Sequence, residues 1–64
     1  MMTLTEAIEY LRGIGLYDEA IARLAGVNTT TVWRARRTGS ALYGKAMKII
    51  EAAEKKRAES ENHA

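Results

Sequence analysis

Cysteine and proline are both missing from this chain, and each absence closes off a class of structure. Without cysteine there is no disulfide framework to staple a small fold and no thiolate chemistry, which suits a reducing compartment. Without proline nothing breaks a helix from within, and the supply of Ala, Leu, Ile, Glu, Lys and Arg then favours an all-helical domain. The single histidine, His63, stands alone near the end of the sequence, so no metal-ligand set and no cofactor site is expected. No apolar run approaches the roughly 18–20 residues of a membrane span, and the first residues lack a basic-then-apolar leader pattern. The expectation is a soluble, cytoplasmic protein that is not exported.

What is present is one small domain. A chain of 64 residues buries only about 60% of its unfolded surface, so its own stability is marginal and oligomerisation would help. The formal net charge is only +2, but it is unevenly spread. Arg23, Arg34, Arg36, Arg37, Lys45 and Lys48 follow one another with no acid between them, whereas the carboxylates precede or follow that stretch. Such segregation makes one face positive, as phosphate contact requires, although a solvated basic surface would look the same.

In chain order, Thr3-Leu4-Thr5-Glu6 has the capping-box pattern, which starts a first helix with Leu4, Ala7, Ile8 and Leu11 as its apolar stripe. Gly13 ends that helix, with Ile14 expected as a plug under the core and Tyr10 and Arg12 on the solvent side. A second helix follows Tyr17, with Asp18 and Glu19 complementing its positive end. These adjacent carboxylates point about 100° apart, with no nucleophile or base beside them, so no enzyme is expected.

The stretch from Asp18 to Thr38 then joins two short helical patterns through Gly26. Ile21, Ala22, Leu24 and Ala25 supply the apolar side of the first pattern, Val27 seals the corner, and Asn28 is a suitable N-cap for the next helix, about Thr29 to Arg37. Val32 and Ala35 form its inward stripe, and Thr38-Gly39 close it. The remainder faces out: Thr29, Thr30, Trp33, Arg34, Arg36 and Arg37, a set of hydroxyls, one aromatic and guanidinium groups that suits a DNA groove. The bland reading of Arg36 and Arg37 is compensation of the helix dipole, which accounts for part of the cluster. Trp33 has three readings: an apolar contact in the major groove, a stack on sugar and phosphate, or a plate packed under a fourth helix.

That fourth helix opens with Ser40 as N-cap and runs to about Arg57, with Leu42, Ala46, Ile49, Ile50 and Ala53 facing the domain and a favourable Glu51–Lys55 pair on the wet side. Gly44 inside it means either close backbone packing or a start delayed to that residue. Tyr43, Met47 and Ile50 form an overlapping stripe that a small core cannot cover, and therefore a candidate homodimer interface. Residues 1–57 make the domain and residues 58–64 a frayed tail in which His63 is inert.

Ala22, Gly26, Val27, Thr31, Val32 and Arg34, in the frame AxxxGVxxxTVxR, resemble the helix-turn-helix of the lac-repressor headpiece and of phage Cro and repressor proteins. The segment GSALYGKAMKIIEAA is similar to the stretch after the recognition helix in small phage regulators of that type. The resemblance covers most of Leu4 to Ala53, and Trp33 departs from it, since that position is usually small or polar. It implies an all-α, four-helix, lambda-repressor or Cro-like domain from a bacterium or phage-infected host. The implied function is sequence-specific transcriptional regulation, by repression in the simplest case, with the third helix in the major groove of a palindromic double-stranded operator and no small-molecule ligand. By position, Thr29, Thr30, Trp33, Arg34 and Arg37 face base edges, with Arg34 foremost because bidentate pairing to guanine is the commonest specific contact. Tyr17, Thr31, Arg36, Ser40, Lys45 and Lys48 are candidates for the DNA backbone. Two other classes stay open: a DNA-handling adaptor of a phage packaging or recombination assembly, and a protein-interaction module.

Overall fold

Thr3 and Glu6 begin the folded part of the chain by satisfying each other's backbone. The Thr3 hydroxyl accepts from the Glu6 N–H at 3.1 Å, and the Glu6 carboxylate accepts from the Thr3 N–H at 2.8 Å. Hydrogen bonding from Thr3 holds the Glu6 carboxyl below its usual range. In this computed structural model, which describes residues 1–61, the box opens α1 (Leu4–Gly13). Next come α2 (Asp18–Ala25), α3 (Thr29–Thr38) and α4 (Tyr43–Glu61), with no strand among the described residues. None of these helices is long and apolar enough to cross a membrane.

The stripes expected from periodicity meet in one core. Leu4, Ala7, Ile8 and Leu11 of α1 lie chiefly against α4, while Ile21 and Ala22 of α2 pack with Val32 and Ala35 of α3. Ile49, Ile50 and Ala53 of α4 close the cluster, and every buried side chain among the described residues is apolar. Because the core is so small, the alanines matter as much as the large residues. Ala7, Ala35 and Ala53 are fully buried or nearly so, which lets the helix backbones approach closely.

Six expectations need correction. Ile14 is no plug: it is half exposed, and Leu16 packs against the core instead. The cause is the turn ending α1, in which the Leu16 N–H donates back to the Leu11 carbonyl at 2.9 Å and draws Leu16 inward. Leu24, expected to add apolar surface beside Ile21, is 41% exposed.

Ser40 does not cap α4. The chain leaves α3 through Gly39 in the left-handed region, and the Ser40 N–H donates to the Thr38 hydroxyl at 3.2 Å. That hydroxyl in turn donates to the Arg34 carbonyl at 2.8 Å. Helical bonding resumes only when the Ala46 N–H reaches the Leu42 carbonyl at 2.8 Å. Leu42 therefore stands just before the helix and is 73% exposed instead of facing the core. Gly44 falls in the first helical turn with no heavy atom within 4 Å of where a Cβ would sit, so the delayed start accounts for it and close packing does not.

At its other end α4 continues to Glu61, past the expected fraying point at residue 58. Strong helix formers and pairs one turn apart carry it on: Arg57 with Glu54 at 2.6 Å and with Glu61 at 4.0 Å, and Lys56 with Glu59 at 3.7 Å. The expected Glu51–Lys55 pair is not among them. Glu54 also accepts from the Met2 N–H at 2.7 Å, which ties the start of the chain to α4. His63, read as inert, lies outside the described residues.

Candidate nucleic-acid interface

The corner between α2 and α3 fixes everything that α3 presents. Gly26 sits at φ 76°, ψ 33°, the left-handed region in which a side chain is strained. The Ala22 carbonyl accepts from both the Gly26 N–H at 2.9 Å and the Val27 N–H at 3.0 Å, so the chain reverses within one turn of the end of α2. Val27 then packs against the core. Asn28 caps α3, its side-chain oxygen accepting from the Thr31 N–H at 2.8 Å and from the Thr31 hydroxyl at 2.8 Å.

Burial of Val32 and Ala35 sets the rotation of α3 about its axis. Thr29, Thr30, Trp33, Arg34 and Arg37 are then all exposed, as the inward stripe predicts. Trp33 is 42% exposed at the margin of the helix, and the Arg37 guanidinium lies over its ring, 4.7 Å from the centroid. Among the described residues neither Arg34 nor Arg37 has a carboxylate within ion-pair distance, and the same holds for Lys45 and Lys48. Arg34, Thr38, Ser40, Leu42 and half-buried Lys45 line a groove of about 260 Å³ between α3 and the start of α4.

Arg36 is placed differently from its neighbours. Its Nε and Nη2 donate to the two carboxylate oxygens of Asp18 at 3.1 and 2.9 Å, a bidentate fork joining the end of α3 to the start of α2. The Arg12 guanidinium approaches the same carboxylate at 3.6 Å and lies over the Tyr17 ring at 4.9 Å from its centroid. The hydrogen bonds from Arg36 hold the Asp18 carboxyl below the usual range, against the opposing effect of partial burial, and Asp18 raises Arg36 in return.

Three residues expected at the DNA backbone thus have polar groups engaged within the domain: Arg36 by Asp18, the Thr31 hydroxyl by Asn28, and the Ser40 hydroxyl by that of Thr38 at 3.3 Å. Tyr17 and Ser40 are exposed at the ends of α2 and α3, and Lys48 is exposed on α4. The Asp18 cluster was not legible in the sequence, because it depends on how the ends of three helices meet. The one hint was that Arg36 follows Ala35 and stands close to the buried edge of α3.

The stripe proposed for dimerisation is divided. Ile50 belongs to the core at 8% exposure and Met47 packs half-buried against it, whereas Tyr43 is 81% exposed beside Leu42. The first turn of α4, at Tyr43, is thus left uncovered while the turns after it face the core. No protein-family model, curated protein or solved structure matches this chain.

Proposed function

We propose that this chain is a sequence-specific DNA-binding regulator of the Cro and repressor kind, in which α2 and α3 act as a helix-turn-helix and α3 enters the major groove. The observation that carries this reading is the outward face of α3. Thr29, Thr30, Trp33, Arg34 and Arg37 are exposed together on a helix anchored by Val32 and Ala35, and neither arginine is paired with a carboxylate among the described residues. Side chains of this kind on a rigid helix match the donor and acceptor pattern of base edges. Lys45 and Ser40 around the groove beside α3, together with Lys48, supply the backbone contacts that set register.

A single recognition helix reads few base pairs, so the functional unit is two copies on a palindromic site. Leu42 and Tyr43 together expose on the order of 300 Å², well under the ~800 Å² per partner of a stable interface, which favours pairing on DNA over a free dimer. Simple occlusion of a promoter then suffices for repression.

Selection of bound sites from random DNA tests the proposal. A symmetric consensus with half-sites about 34–36 Å apart is expected, bound with affinity that falls steeply with salt. Salt-sensitive binding without site preference would instead indicate a DNA-handling adaptor. No binding at low salt would leave a protein-interaction module.

A further inference from the structure

Arg37 and Trp33 stand four residues apart on the face of α3 opposite its buried stripe. At 1.5 Å rise per residue the Arg37 backbone lies about 6 Å further along the axis than that of Trp33, in the last turn of the helix. Recognition helices contact base edges with their N-terminal halves, so an arginine at this position would ordinarily fall short of the bases. Stacking removes that difficulty. With its guanidinium 4.7 Å from the indole centroid, Arg37 carries its charge back toward Trp33, nearer the start of α3.

The same contact selects one orientation of a long side chain while leaving the N–H donors at the guanidinium edge uncommitted. Among the described residues no carboxylate competes for them. Arg36 is withdrawn by Asp18, and Arg34 borders the lateral groove with Lys45 and Ser40 without an aromatic ring to orient its guanidinium among the described residues. Trp33 itself is too exposed to be a core residue, so packing alone does not account for an indole there.

We propose that Arg37, drawn back along α3 by stacking on Trp33, is the guanine-reading side chain of this protein, and that Trp33 is its positioning residue. This rests on the DNA-binding reading above. Bidentate donation to O6 and N7 of one guanine per half-site is the contact that a pre-oriented guanidinium edge makes.

The test uses the full chain and the site selected from random DNA. Trp33→Ala, Trp33→Tyr, Arg37→Ala and the double variant Trp33→Ala/Arg37→Ala are titrated against that site and against each of its single base-pair variants, with circular dichroism to verify folding. Arg37→Ala should weaken binding roughly tenfold to a hundredfold and abolish preference at one G·C pair per half-site. Trp33→Ala should blunt preference at that same pair with an unchanged salt slope. Trp33→Tyr, which keeps an aromatic face, should retain the preference, and the double variant should be no weaker than Arg37→Ala alone. Losses that add, loss of preference at different base pairs, or a Trp33→Ala variant that still discriminates fully would overturn the assignment while leaving a DNA reader. A wild-type protein without any site preference would remove the DNA-reading proposal itself, and this assignment with it.

Discussion

Substituting alanine at Gly26 and at Gly44 should shift stability in opposite directions, although the two sites look alike in available space. Neither would bring an added Cβ within 4 Å of another group, so steric clash plays no part at either position. At Gly26 the backbone is held at φ 76° by the two hydrogen bonds to the Ala22 carbonyl, and an L-residue there pays about 1–2 kcal/mol. Part of that is offset, about 0.4–1 kcal/mol, because alanine also restricts the unfolded chain. The net loss is roughly 1 kcal/mol, which lowers the melting midpoint of a domain this small by about 4–8 °C. At Gly44, in the first turn of α4 with no positive φ, the unfolded-state gain stands alone, and Gly44→Ala should raise the midpoint by a few degrees. Asparagine tolerates the left-handed region better than alanine, so Gly26→Asn should fall between wild type and Gly26→Ala. Thermal melts followed by circular dichroism decide the matter. Equal shifts of the same sign for the two alanine variants would refute the claim that the corner between α2 and α3 depends on a left-handed residue.

Two further predictions concern charge. Asp18 has a lowered carboxyl pKa in the folded state, so its stabilising contribution is complete above the unfolded value near 4 and is lost as pH falls through the lower folded value. Glu6 behaves the same way through its capping box, so melts of wild type, Asp18→Asn and Glu6→Gln between pH 2 and about 6 should show each variant losing part of the acid dependence. An Asp18→Asn variant with the full wild-type dependence would show that the Arg36 fork is not formed in solution. Lys48→Ala should reduce the magnitude of the salt slope of DNA binding by about one, whereas Arg36→Ala should lower the melting midpoint and leave the slope unchanged. A reduced slope in Arg36→Ala would return that residue to the DNA backbone.

Local chemistry made much of this protein legible in advance. The capping box at Thr3 and Glu6, the turn glycine at Gly26, the Asn28 cap and most of each apolar stripe depend on neighbours within a turn or two of chain and stand where periodicity put them, Leu24 and Leu42 excepted. The outward set on α3 followed from the same rule, since once Val32 and Ala35 face in, Thr30, Trp33, Arg34 and Arg37 must face out. Tertiary structure decided what periodicity cannot. Arg36 and Asp18 are 18 residues apart, and only the packing of α3 across the start of α2 brings the fork together and takes Arg36 out of the cationic face. Likewise the Thr38 hydroxyl is bonded to the Arg34 carbonyl and the Ser40 N–H, and α4 starts only at Tyr43, which leaves Leu42 outside the helix and exposed. Spacing along a helix states which residues share a face. Which of those faces is covered depends on where the next helix starts, and that is settled by hydrogen bonds made across a loop.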